Sequence, residues 1–296
     1  QSSAARSIFL LSRVVSAFDN RMNLLAAVFL EGFLLWDIQC LLRLEKWRVK
    51  EGIYFNKWIS ALSQFDALTS LGIYAYNHSE FSYPEINSKG VIETTKLGHV
   101  LIPAEERICN DFYIRQKGDY AIITGANMAG KSTFLRTVAT SMIIAMTGAP
   151  VCASVYRFSP MALFSSMRTN DSLNKHESYF YAELKRLKEM LDRLRAGEQL
   201  FIILDEILKG TNSKDKQRGS YAAMEQIIKN GGTGIIATHD LELAKIENKY
   251  PEKITNLCFE IEIDKANISF DYKLKEGITT KMNASLLMQQ MGIIDK

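Results

Sequence analysis

The chain has 296 residues, enough for one large domain and a smaller one. Its hydrophobic fraction of 47% and charged fraction of 23% are ordinary for a globular protein and argue against a disordered or low-complexity chain. The net charge of +3 does not by itself argue for nucleic acid, and four dispersed cysteines (Cys40, Cys109, Cys152, Cys258) with no CxxC pair argue against a zinc site or disulfide framework and fit a reducing cytoplasm.

The chain opens at Gln1, carries no visible signal peptide, and reads as a piece of a longer protein. Residues from about Ala4 to Arg48 read as helical. Leu24–Leu35 is strongly apolar, but Glu31 interrupts it and Asp37 follows. A membrane span needs ~20 apolar residues with few charges, so a buried or partner-packed helix is expected, with no firm membrane signal. Trp36, Trp47 and Trp58 read as core or interface anchors. Gly52 is expected to break the helix, and Asn56–Tyr76 to form a second one with Ile59, Leu62, Phe65, Leu68 and Ile73 facing inward. The pair predicts a helical hairpin. Turn residues at Tyr83-Pro84-Glu85 and Ser88-Lys89-Gly90 put a domain boundary near residue 80, giving segments 1–80 and 81–296.

Gly98–Pro103 leads to Asn110–Ile114, and His99 alone reads as a structural histidine. Asp119–Thr124 is a short apolar run expected to be a buried strand, and Phe134–Ala145 is helix-compatible until Thr147-Gly148-Ala149-Pro150. Between them lies Thr124-Gly125-Ala126-Asn127-Met128-Ala129-Gly130-Lys131-Ser132-Thr133, which fits G-x-x-x-x-G-K-[ST], the Walker A phosphate loop of nucleotide triphosphatases. Gly125 and Gly130 permit a tight turn that brings backbone N–H groups to phosphate oxygens. Lys131 would reach the outer phosphates, Ser132 would offer a hydroxyl to Mg²⁺, and the following helix would point its positive end at the anion.

Val151–Lys175 is rich in small and polar residues and is expected to be a loop. Ser178 opens a helix in which Phe180, Leu184, Leu187, Leu191 and Leu194 form one apolar face. Leu200–Leu204 is five apolar residues ending in Asp205-Glu206, a Walker B arrangement in which Asp205 would hold Mg²⁺ and Glu206 would activate the attacking water. Gly210-Thr211-Asn212 reads as a tight loop. Thr233–Thr238 is a third apolar strand ending at His239, a candidate γ-phosphate sensor because ligands of open α/β sheets bind at that edge. From Ile254 two alternating segments predict an antiparallel hairpin, and Asn283–Met291 a closing helix.

With these motifs in order, the chain resembles the MutS family of ATPases over about residues 80–296. The family's TGPNMGGKST appears as TGANMAGKST, with Ala126 and Ala129 substituted. Its S-T-F-x-x-E-[ML] helix start appears as Ser178-Tyr179-Phe180-Tyr181-Ala182-Glu183-Leu184, its DE-x-x-[KR]GT as Asp205–Thr211, and its A-T-H as Ala237-Thr238-His239. The resemblance implies an α/β fold, a P-loop NTPase of ABC-ATPase-like type with a mixed sheet flanked by helices, preceded by a helical segment similar to the end of the family's core or lever region. It implies a Mg²⁺-dependent ATPase whose sites are composite: Ser178 of one copy would face the γ-phosphate held by the other in a homodimer. Catalytic candidates are therefore Glu206, His239, Lys131 and Ser178, with Ser132 and Asp205 at the metal and residues 125–133 around the nucleotide. Arg107 stands three positions before Asn110, where the family often carries an aromatic residue that stacks on adenine; an arginine can stack on a flat ring, so Arg107 joins the nucleotide-binding candidates. DNA would be met by regions largely outside this chain, among them the family's mismatch-reading domain. The alternative is a nucleotide-gated scaffold, or a recombination-control relative that does not recognise mismatches. A transporter-type ATPase would need an LSGGQ signature, which the chain lacks.

Overall fold

The computed structural model describes residues 3–19, 34–87, 92–167, 179–208, 212–264 and 267–280. The apolar run at 24–33, the turn at 88–90, Ser178, Lys209–Thr211 and the closing helix at 283–291 lie outside the described residues. The chain divides into two compact units, Gln1–Tyr76 and Asn77–Lys296.

The first unit holds α1 (Ala4–Asp19) and α2 (Trp36–Asn77). Two tryptophans tie them: Trp47 Nε1 donates to Ser7 O at 2.8 Å and Trp36 Nε1 donates to Ala17 O at 2.9 Å. The contacts run in opposite chain directions, so α1 pairs antiparallel with the start of α2. Gly52 does not break the helix. It lies inside the 42-residue α2, where a Cβ would meet only Arg48 Cγ at 3.6 Å. A lone interior glycine costs about 1 kcal/mol against alanine, too little to end a long helix. Ile59, Leu62, Phe65, Leu68 and Ile73, expected to face inward, are exposed in the structure. Helical spacing identifies a face but not what covers it. Among the described residues no helix is long and apolar enough to cross a membrane.

The second unit carries two sheets. The smaller joins β1 (Glu85–Ile86), β2 (Ile92–Leu97), β3 (Asn110–Ile114) and β5 (Val155–Phe158) in the order β1-β5-β2-β3. The larger contains β4 (Tyr120–Gly125), β6 (Ala162–Ser166), β7 (Leu200–Asp205), β8 (Thr233–Thr238), β9 (Ile254–Asp264) and β10 (Asn267–Glu276), in the order β10-β9-β4-β8-β7-β6. Its pairs are parallel except the β9–β10 hairpin. β5 and β6 fall inside 151–175, which was expected to be a loop. Both are short edge or near-edge segments with few residues fully buried, so they lack a continuous apolar run.

Helices cover both faces of the larger sheet: α3 (Lys131–Met146), α4 (Tyr179–Arg195), α5 (Ser213–Lys229) and the short α6 (Leu241–Ala244). Successive strand side chains alternate between these faces. Ala121, Ile123, Phe201, Ile203, Ile235 and Ala237 pack with Phe134, Leu135, Val138 and Met142 of α3. Tyr120, Ile122, Leu200, Ile202, Leu204 and Ile236 pack with Leu187 and Met190 of α4 and Met224, Ile227 and Ile228 of α5. Strands buried on both sides read as unbroken apolar runs, which is why β4, β7 and β8 stand out in the sequence. α5 was not anticipated; Asn212 caps it, its side chain accepting from Asp215 N.

Candidate functional site

β8 lies between β4 and β7, and all three run parallel, so their carboxyl ends share one edge. Thr124 is level with Thr238, and Asp205 with Ala237. Three segments far apart in sequence therefore leave the sheet side by side. A cleft of about 850 Å³ opens there, bordered by Asn127, Met128, Gly130, Lys131, Ser132, Thr133, Asp205 and Glu206.

The 125–130 loop connects β4 to α3. Gly125 is paired with Phe259, and a Cβ there would come within 2.8 Å of Phe259 O. Gly130 caps α3 at φ 107°, a backbone state that glycine adopts without penalty, and makes no side-chain cap bond. The start of this 16-residue helix, its positive end, borders the cleft through Lys131, Ser132 and Thr133. Met128, at φ 68°, is exposed, whereas Ala126 and Ala129 put their methyl groups into the core. Lys131 is buried, and its Nζ donates to Gly125 O at 2.6 Å and to Ala126 O at 2.8 Å. Its ammonium thus lies beneath the loop that would wrap an anion.

The acids stand opposite. Asp205 is 7% exposed, a carboxylate held at the cleft by the buried strand beneath it. Glu206 turns out of the strand at φ 60°, with its N–H donating to Ala237 O at 2.9 Å. Its Oε1 lies 2.6 Å from His239 Nδ1, and Lys216 Nζ lies 3.5 Å from His239 Nε2. A lysine ammonium only donates, so Nε2 is the acceptor, and Nδ1–H donates to Glu206. Among the described residues no group of three or more His, Cys, Asp and Glu side chains is gathered to hold a metal. A cation here would share its coordination with phosphate and water. That suits Mg²⁺, and the hydroxyl of Ser132 and the carboxylate of Asp205 are the hard oxygen donors it takes.

The structure brings Gly125–Thr133, Asp205, Glu206 and His239 to one edge. It does not bring Arg107 into the cleft. Arg107 Nε donates to Ile102 O at 2.9 Å, its Nη1 donates to Cys152 Sγ at 3.1 Å, and its Cζ lies 5.4 Å over the Phe81 ring. The apolar wall is instead Leu101, Ile102, Pro103 and Ile108, with Tyr272 from β10. Tyr272 sits in the irregular stretch of the β9–β10 pairing at φ 51°, and its Cδ1 would lie 3.1 Å from a Cβ on Gly130. Asn110 fastens this segment, donating to Tyr272 O at 3.0 Å and accepting from Leu274 N at 2.8 Å. No local pattern marks Tyr272; only strand pairing carries it there. His99 also borders the cleft, and burial, then the Arg136 and Arg107 charges, hold its imidazole below the ordinary value.

Fold and cleft together define a mixed α/β protein whose candidate site lies where parallel strands end against a glycine-flanked loop and a helix start. A family model for MutS domain V matches residues 121–292. MutS protein homolog 4 of Homo sapiens is 33% identical over 192 residues, covering 62% of this chain and 20% of that protein. The DNA mismatch repair protein MutS of Thermotoga petrophila is 28% identical over 239 residues, covering 79% of this chain and 29% of that protein. That of Finegoldia magna is 32% identical over 233 residues, covering 76% and 27%. The chain belongs to the MutS family, as a divergent member. It spans less than a third of the length of these relatives.

Proposed function

We propose that this chain is the ATP-binding and ATP-hydrolysing part of a MutS-type protein, built as a P-loop NTPase of the ABC-ATPase-like kind, and that two copies close around the nucleotide. The observation that carries this reading is the meeting of Lys131, Ser132, Asp205 and Glu206 around one cleft.

In this reading the α3 N-terminus and the loop N–H groups bind the phosphates, and Lys131 exchanges its carbonyl partners for phosphate oxygens. Leu101, Ile102, Pro103, Ile108 and Tyr272 give the base a contact surface, a role the sequence had offered to Arg107. Ser132 and Asp205 would hold Mg²⁺, which supplies charge neutralisation on the phosphates when bound. Glu206 accepts a proton from water as its oxygen attacks the γ-phosphorus, and the bond to the bridging oxygen of ADP breaks. His239 orients Glu206 through Nδ1–H and stands where the γ-phosphate would be sensed. Ser178 of a second copy would complete the site. Residues 1–80 would be the lever-like helical segment and 81–296 the ATPase domain, in a cytoplasmic protein. The names of the relatives point to DNA as a partner, engaged through regions largely outside this chain, in a mismatch-repair-type role.

The test is hydrolysis of Mg-ATP together with light scattering, on the chain and on its Lys131→Met variant. Turnover and ATP-dependent association are expected in the former and neither in the latter. Equal turnover in both would refute the reading. ATP-driven association with no turnover would favour a nucleotide-gated scaffold over an ATPase.

A further inference from the structure

The backbone just after Glu206 is unusual. Glu206 and Leu208 both have positive φ, 60° and 57°, and neither is glycine. Such conformations persist only where surrounding structure over-determines them, and they gather at functional sites. Here each residue of the turn is gripped by a different element. β8 holds the first, through the bond from Glu206 N to Ala237 O. α5 holds the second, with Ser220 Oγ donating to Ile207 O at 3.5 Å. α5 also closes over the third: a Cβ on Gly219 would lie 2.5 Å from Leu208 Cδ1. The strongest grip on that third residue comes from α4, where Leu208 N donates to Glu183 Oε1 at 2.6 Å.

Glu183 is 9% exposed, and Leu208 is 5% exposed. The bond spans 25 residues of chain and lies out of water. A carboxylate accepting a backbone N–H in such a place makes a short, strong bond, and the N–H has no solvent to turn to if it is lost. Loss of the bond would let Leu208 relax toward ordinary φ. Glu206 lies two residues back on the same turn, so its carboxylate would move off His239.

We infer that Glu183 is a positioning residue that locks the 206–208 turn and so aims the Glu206 carboxylate. It also makes α4, described from Tyr179 onward, a mechanical neighbour of the acid. The inference rests on Glu206 being the general base.

The test uses the full chain carrying Glu183→Ala or Glu183→Gln; glutamine keeps a carbonyl oxygen where Oε1 stands. Three quantities are measured: single-turnover hydrolysis, ATP affinity, and hydrogen exchange at the Leu208 amide. For Glu183→Ala, hydrolysis is expected to fall at least about tenfold while the ATP dissociation constant stays within about threefold. Leu208 protection is expected to fall by roughly tenfold or more in the same variant. Glu183→Gln is expected to restore both. Unchanged hydrolysis or unchanged Leu208 protection in Glu183→Ala overturns the inference, as does a failure of Glu183→Gln to restore either. Equal losses of affinity and turnover would make Glu183 a general folding residue and overturn it too. Absence of hydrolysis in the wild-type chain would strike the assignment of Glu206, and the Leu208 amide would still decide whether Glu183 holds the turn.

Discussion

Glu206→Gln separates binding from chemistry in this site. Its side chain is 13% exposed and meets His239 Nδ1 at 2.6 Å. Glutamine has the same length and keeps a carbonyl oxygen for the Nδ1–H, so the geometry survives. A charge-assisted bond worth about 1.5–3 kcal/mol becomes a neutral one worth about 0.5–1.5 kcal/mol. His239 is 46% exposed, so solvent screens the difference to about 1 kcal/mol or less. For a domain of this size that is a fall in Tm of about 2–4 °C at most. Turnover should change far more. Removal of a positioned general base costs roughly 10²–10⁴-fold, or about 3–5 kcal/mol in the barrier. ATP affinity should stay within about threefold of wild type, because the proposed site would hold the phosphates from the α3 side. Rapid-quench single turnover gives the rate, equilibrium dialysis the affinity, and calorimetry the Tm. A rate within about threefold of wild type would refute the role of Glu206, and a Tm fall beyond about 8 °C would refute the geometric argument.

Phe134→Ala removes a buried ring packed edge-on against Phe112 and Phe259, at centroid distances of 5.4 and 5.8 Å. It should cost about 3–5 kcal/mol in urea unfolding; a loss below about 1.5 kcal/mol would mean that the pocket collapses around the gap. Gly125→Ala drives a Cβ to 2.8 Å from Phe259 O and should cost about 1–3 kcal/mol as the β4–β9 ladder yields, while weakening nucleotide binding in titration calorimetry. His99 should titrate by NMR below the free imidazole value of about 6.5. In the interval between its folded and unfolded values the unfolded chain holds more protons, so this contribution to stability is present above about pH 6.5 and is lost as pH falls toward the folded value. His99→Gln should flatten that part of the stability curve, and an unchanged slope would refute the assignment.

Much of the larger sheet was legible because its central strands are buried on both faces and their boundaries coincide with chemistry. β8 begins at Thr233 and ends at Thr238, as its apolar run suggests. Segments with one wet side were harder to read. β5 and β6 look like loop because exposed Ser154 and Pro160 flank short runs, and α5 starts in a charged stretch where Asn212 is its main local signal. Gly52 does not mark a helix end, because an interior glycine weakens a helix without ending it. The packing of Arg107 is illegible in the sequence for a different reason. Spacing from Asn110 says where its Cα falls, but the partners that capture its guanidinium, Ile102 O and Cys152 Sγ, are set by tertiary structure.

The same distinction explains why the acid–histidine pair could be named but not understood from sequence. Glu206 and His239 each follow an apolar strand, so each is expected at a sheet edge. That they touch depends on β8 lying directly beside β7, with Asp205 level with Ala237. That Glu206 points at His239 depends further on a left-handed turn that no residue in 206–208 favours on its own. The turn is paid for by neighbours: a β8 carbonyl, the bare face of Gly219, and the Glu183 carboxylate. The glutamate of the S-x-F-x-x-E pattern thus has a physical reason to accompany the two acids. It supplies the acceptor that makes their turn possible, and a chain that kept Asp205-Glu206 but lost Glu183 would carry the acid without its aim.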